Sequence, residues 1–176
     1  YNPAGLALIH SQQMVVGGAG VFPVSKISGT STFSTPPLPD YVQSFTDFNG
    51  AKSAFVPSFH YALPIGENTT FGLSVVSPFG LSTNWDWKRP VRYAAPYSEL
   101  ITTTISPEIG GKISDHFALG AGIDFQYARV KLNQVIGSPA YMTALSPLLL
   151  GDPGPRTLDS TSYNKGQSTG VGFHAG

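Results

Sequence analysis

From residue 117 to residue 133 the chain alternates without a break. Phe117, Leu119, Ala121, Ile123, Phe125 and Tyr127 share one parity, while Ala118, Gly120, Gly122, Asp124 and Gln126 share the other. A period of two is the mark of a β-strand, whose successive side chains leave opposite faces. The run is about twice the length of an ordinary strand. One of its faces is large and apolar, the other small or polar. A strand that keeps both properties over this length fits a tilted membrane strand, which needs about 9–11 residues to cross the hydrocarbon layer.

The same alternation recurs over Ala54–Pro64, where Phe55, Phe59, Tyr61 and Leu63 oppose Ser58, His60 and Ala62. It recurs over 70–77, with Phe71, Leu73 and Val75 opposite Gly72, Ser74 and Val76, and over 98–113, with Ile101, Ile105, Ile109 and Ile113 opposite Thr102, Thr104, Ser106, Glu108 and Lys112. Weaker strands are expected over 12–24 and 167–176, where Val171 and Phe173 keep the apolar parity and His174 takes the other. Six strands result. Their connections alternate between tight turns (66–68, 114–115) and long loops (25–50, 84–97, 134–165). An up-and-down outer-membrane barrel is built this way, with short periplasmic turns and long extracellular loops. On that reading Arg129 and Lys131, at the outer end of the apolar parity, reach the headgroup layer.

Composition narrows the alternatives. Only 11% of residues are charged, against about 25% in an average soluble domain, and the formal charge of +0 argues against nucleic acid as a partner. No run approaches the roughly 20 apolar residues of a membrane helix. A soluble β-sandwich, acting as a surface binding or adhesion module through its long loops, accommodates the same alternation. Closure weighs against it being a complete small barrel: the smallest membrane barrels have about eight strands, so six are expected to be part of a larger wall.

Three stretches, "NPAGLALIH", "VPSFHYALPI" with "FGLSVVSPFGLST", and "HFALGAGIDFQYARVKL", resemble the FadL family of outer-membrane transporters for long-chain fatty acids and other hydrophobic compounds. The likeness extends to "ISGTS" and to the closing "GVGFHAG" and is weakest in the long loops. The resemblance implies an all-β, fourteen-stranded barrel of the bacterial outer membrane plugged by an N-terminal hatch. Residues 1–11 would then be the end of the hatch and its junction to the barrel, with Asn2, Pro3 and Ala4 at that junction, and residues 12–176 the first six strands. Read without the family, Asn2-Pro3 is a plain turn. The implied partners are fatty acids or other hydrophobic small molecules, together with outer-membrane lipid and lipopolysaccharide. The full-length protein is expected as a monomer, without cofactor, metal or catalytic chemistry; a nonspecific porin is the runner-up within the membrane.

"SVVSPFGLST" interrupts a strand with Pro78, which has no N–H to give the ladder, and Gly80, so the ladder must open or bend around Phe79. The resemblance places a lateral opening at Ser77, Pro78, Phe79 and Gly80, through which ligand leaves the lumen into the bilayer; a β-bulge that only adds twist is the alternative. Val76, Val130, Leu132 and Gln134 are expected to line a ligand pocket or simply to pack the interior. Where fatty-acid members of the family carry an inward arginine, this sequence has Gln134, which opens the way to a neutral cargo. In the outer loop, Tyr141, Leu145, Leu148 and Leu149 make an apolar helical stripe that the resemblance assigns to ligand capture and that a loop also uses to cover its own small core. His10, His60, His116 and His174 lack metal-ligand spacing. "GGAGVF" and "GAGIDF" lie within strands, without the following helix that a phosphate loop requires.

Overall fold

The computed structural model describes residues 2–34, 36–85, 90–137 and 159–176. A short 3-10 helix (Pro3–Leu8) is followed by β1 (Gln13–Val21), β2 (Lys26–Phe33), β3 (Tyr41–Asn49), β4 (Ala54–Pro64), β5 (Thr69–Val76), β6 (Gly80–Asn84), a second 3-10 turn (Pro90–Tyr93), β7 (Tyr97–Ser114), β8 (Phe117–Ile136) and β9 (Ser160–Ala175). One antiparallel sheet runs β1-β4-β5-β7-β8-β9, with β6 continuing the line of β5 against the outer half of β7. β2 and β3 pair only with each other. The path is up and down throughout, and β1 and β9 form the two edges of the sheet.

The registers turn the sequence parity into continuous rows. Val16, Phe59, Val75, Ile105, Phe125 and Val171 stand side by side across the sheet, and Leu63, Phe71, Ile109, Ala121 and Ala175 form a second row nearer the tight turns. These rows cover one face only. Nothing in the described residues packs on it: Ile105 is 46% exposed, Phe125 49% and Phe173 88%. The buried apolar residues among those described are Ala7, Ala62 and Val135, with Pro3 and Pro96. The chain exposes 11244 Å², whereas a soluble globule of this mass exposes roughly 8,200 Å². A soluble sandwich would have closed these rows with a second sheet. An outward face that remains bare suits acyl chains, which remove the roughly 25 cal/mol per Å² that water would charge it.

The inner ends close tightly, as expected: Ile65 donates to the Thr69 carbonyl at 2.9 Å, and Lys112 donates to the Asn68 carbonyl at 2.9 Å. The outer ends are more built than loops alone. Segment 25–50 holds the β2–β3 hairpin, whose Phe33 and Phe48 meet Tyr93 (4.7 Å between ring centroids) and Trp85 (5.4 Å). Segment 134–165 is shorter than its sequence reading, because β8 continues to Ile136 and β9 begins at Ser160. Arg92, 1% exposed, bonds Asp159 at 3.2 Å and the Tyr93 hydroxyl at 2.8 Å. The outer connections of β6 and β9 are thereby tied together. Burial first, and then the Asp159 carboxylate, push the Tyr93 phenol up to about 12 despite the nearby Arg92.

About eleven residues above the inner turn the strands leave the hydrocarbon layer. Just beyond, on the outward face, Glu99 accepts from Tyr97 (2.6 Å) and pairs with Arg129 (3.1 Å) and Lys131 (3.2 Å). The Tyr97 hydrogen bond first, and then the two cations, hold the Glu99 carboxyl below its ordinary value of 4.5. A lowered pKa stabilises the fold above the unfolded value, and that contribution fades as pH falls through the folded one. The full-length protein should therefore lose thermal stability, read as the midpoint of heat-modifiable gel migration, as pH drops below 4.5, and Glu99→Gln should lose less over the same range. Equal slopes for the two proteins would remove Glu99 from this role.

Candidate functional site

The inward face is layered from its inner end to its outer end. At the inner end, Asn2 accepts a hydrogen bond from the Ala4 amide at 3.0 Å and Pro3 occupies the first helical turn, a start that fixes the direction of the Pro3–Leu8 segment. The segment lies against Gly110 and Gly120, which are paired neighbours on β7 and β8. A Cβ at either glycine would run into the Pro3 backbone, and one at Gly72 would come within 2.9 Å of Leu6. Thr70 ties the end of the segment by donating to the Ile9 carbonyl at 3.1 Å. The absence of side chains at these positions is what admits a backbone so close to the wall.

Above this seat lies a polar layer drawn from five strands. Ser74 donates to Glu108 Oε1 (2.9 Å), Ser106 donates to Asp124 Oδ1 (2.5 Å), and His174 places Nδ1 3.0 Å from Asp124 Oδ2 and Nε2 3.4 Å from Glu108 Oε2. His60 joins through Ser74 at 3.1 Å. A cavity of about 180 Å³ is lined by Ser74, Ser106, Glu108, Asp124 and His174, with Val76 at its edge. Next come Val76, Thr104 and Gln126, and then an apolar layer in which Leu81, Leu100 and Val130 share a row beneath Leu132. Gln134 lies on the same face but within β8, opposite Ser162, rather than in a loop.

Between the polar and apolar layers the wall opens. Val76 pairs with Thr104 and Gly80 with Ile101, so Ser77, Pro78 and Phe79 face only Thr103 and Thr102. The extra residue reverses the parity of β6 and brings Leu81 to the inward side opposite Leu100. Thr102 satisfies the backbone of Phe79. Its amide donates to the Phe79 carbonyl (3.0 Å), its hydroxyl donates to the same carbonyl (2.7 Å), and the Phe79 amide lies 2.9 Å from that hydroxyl. On the other side, β4 pairs with β5 only as far as Ser58 and Val76, and contact resumes at Ala51 and Thr83, with bonds from Lys52 to Ser82 (3.2 Å) and from Asn84 to Gly50 (2.7 Å). No ladder pair joins 53–57 to 77–81 among the described residues. Pro78, Phe79 and Gly80 are exposed at this gap. Gly80 keeps φ outside the left-handed region, so it serves here by lacking a side chain rather than by a special backbone angle.

The structure thus brings Ser77–Gly80 to a gap in the wall, puts Val76, Val130 and Leu132 on one interior face, and seats Asn2, Pro3 and Ala4 on the glycines. Tyr141, Leu145, Leu148 and Leu149 lie outside the described residues. Sequence reasoning missed Leu81, whose inward position depends on the register slip, and Leu100 and Thr102. The parity of "LITTTIS" already turns the last two inward.

An open antiparallel meander with a bare apolar outside, a layered polar inside and a seated N-terminal segment is a section of transmembrane barrel wall. The chain belongs to the outer membrane protein transport protein family (OMPP1/FadL/TodX), whose profile matches residues 1–176, and its place is the bacterial outer membrane. It is 25% identical over 181 residues to a long-chain fatty acid transport protein of Escherichia coli O6:H1 and 25% identical over 177 residues to one of Salmonella typhi, in both cases over 99% of this chain and 39% of the relative. The crystal structure of a Pseudomonas aeruginosa FadL homologue superposes with a TM-score of 0.70 at 25% identity, over 99% of this chain and 41% of that one. The chain therefore spans about two fifths of the length of these relatives.

The glycine seat has a built-in control. Gly120→Val should displace the Pro3–Leu8 segment and lower the heat-modification midpoint of the full-length protein, while Gly166→Val, on the same face with nothing within 4 Å of its Cβ, should leave it unchanged. Equal effects would contradict a seat specific to Gly110 and Gly120.

Proposed function

We propose that this chain forms the first six strands of an outer-membrane barrel that takes up hydrophobic compounds, long-chain fatty acids among them, and releases them sideways into the bilayer through the gap at Ser77–Gly80. The observation that carries this reading is the interrupted ladder between β4 and β5–β6. A lapse in pairing at membrane depth is expensive unless the freed groups face protein or a cavity, and here Thr102 takes up the Phe79 amide and carbonyl. Val76, Leu81, Leu100, Val130 and Leu132 give an apolar ligand a surface that leads down to the gap. Capture outside falls to the outer loops, whose sequence carries the apolar residues Tyr141, Leu145, Leu148 and Leu149. Asn2, Pro3 and Ala4 on their glycine seat join the barrel to a hatch that closes the inner end. No energy source is needed. Each transfer from water to apolar groove to acyl chains is downhill by about 25 cal/mol per Å² buried.

Gly80→Trp tests the route. A Cβ at this position meets only the Leu100 carbonyl oxygen, at 3.8 Å, so the strand accepts a side chain, whose indole then lies on the outward parity of Ile101 at the lipid side of the gap. Uptake of a labelled long-chain fatty acid and of an uncharged aromatic hydrocarbon by cells making the full-length variant should fall about tenfold, with heat-modifiable migration unchanged. Unaltered uptake would contradict lateral release. Rapid swelling of proteoliposomes in small sugars would instead identify an open porin.

A further inference from the structure

The polar layer under Val76 is more than wall packing. Its cavity opens on the inward face, at the level where the apolar layer ends and the gap in the wall begins. Glu108 and Asp124 are 12% and 30% exposed, so their oxygens border open space. Ser74 donates to one oxygen of Glu108 and Ser106 to one oxygen of Asp124, the two remaining carboxylate oxygens lie 3.4 Å and 3.0 Å from the ring nitrogens of His174, and each carboxylate keeps lone pairs to offer. The charge balance of the face is one-sided. Lys112 is the one lysine or arginine on the inward parity of the six described barrel strands, and it lies below the glycine seat, away from the cavity. His174 is engaged on both nitrogens by the two carboxylates, and His60 meets the layer at Ser74. Two carboxylates against one bridging imidazole leave the cavity acceptor-rich, with no positive charge in excess.

We propose that this cavity is the subsite for the polar end of the cargo and that it takes an uncharged hydrogen-bond donor, a hydroxyl, in preference to a carboxylate. This rests on the transport reading and specifies its cargo as hydroxylated hydrophobic compounds such as phenols and long-chain alcohols. A hydroxyl donates to Asp124 or Glu108 while the rest of the molecule lies along Val76, Leu100 and Val130, next to the gap. A carboxylate brought to the same place meets two like charges, at a distance where such repulsion disfavours ionisation. An ammonium group would find the carboxylates favourable, but it would have to shed its hydration to continue through the gap into acyl chains. The neutral donor satisfies the site and still leaves it.

The test is uptake of three matched probes, 4-butylphenol, 4-butylbenzoate and butylbenzene, into outer-membrane vesicles carrying the full-length protein at pH 7.5, with protein-free vesicles subtracted. The phenol should be taken up about tenfold better than the benzoate, the scale of one hydrogen bond to a charged acceptor. In Glu108→Gln/Asp124→Asn the phenol should fall to the level of butylbenzene, with butylbenzene itself unchanged. Ser168→Ala, two rows nearer the outside on β9, should leave the order of the probes intact. Benzoate equal to or above phenol in the wild type would overturn the subsite while leaving hydrophobe transport in place. A phenol advantage that survives the double substitution would overturn it equally. Uptake of none of the three above the protein-free level would overturn the transport reading itself. If the double variant fails to assemble, the wild-type order of probes and His174→Gln, which frees a lone pair on each carboxylate and should retain the phenol preference, decide the matter.

Discussion

A backbone amide or carbonyl left unpaired in hydrocarbon costs several kcal/mol, and this constraint organises the whole sheet. β1, β4, β5, β7, β8 and β9 meet it in the simplest way, each strand pairing with its neighbour in sequence along an up-and-down path. Long strands follow, as do tight inner turns and side chains sorted strictly by parity. The gap in the wall around Pro78 and Phe79 is tied down by Thr102 and bridged again farther out between Ala51 and Thr83. A break repaired on both sides behaves as an aperture rather than as a frayed end.

The inward face then divides along its height according to what each level has to accommodate. Glycines stand where a second backbone presses against the wall, at Gly110 and Gly120. Carboxylates, serines and histidines stand above them, linked into one network so that no buried charge is left alone. Aliphatic side chains occupy the top. The aperture lies at the boundary of the last two levels, where an amphipathic molecule has its polar end on one side and its apolar body on the other.

Most of the architecture is legible in the chain because the membrane constrains both faces at once. Phe117 to Tyr127 cannot be read in any period but two, and its neighbours Ile101 to Ile113 and Phe71 to Val75 agree with it. Legibility fails where that double constraint lifts. Above the headgroup layer neither face of Ser160–Gln167 needs to be apolar, so the first half of β9 carries no alternation to detect, and β8 runs on to Ile136 for the same reason. The β2–β3 hairpin lies wholly outside the sheet and follows ordinary soluble rules, which hid it within a proline-bearing loop. The interruption at Pro78 is visible in the residues themselves, but its consequence is not. One extra residue against Thr102 and Thr103 reverses the parity beyond it, and only the register reveals that Leu81 faces inward. The glycine seat is half legible: the small parity of β8 is plain, whereas the backbone that fills the space comes from Pro3, more than a hundred residues away.

All of this depends on which face meets lipid. Single nitroxide labels can be introduced on cysteines placed at Leu119, Ile123 and Gly170 in the full-length protein, with any other cysteine replaced, and reconstituted into bilayers. Labels at 119 and 123 should relax strongly with lipid-dissolved oxygen and weakly with a water-soluble nickel chelate, while the label at 170, on the inward face opposite Gln126, should show the reverse. Labels at 119 and 123 that are shielded from both reagents would mean that a second layer of polypeptide covers those rows, and the barrel account would fail.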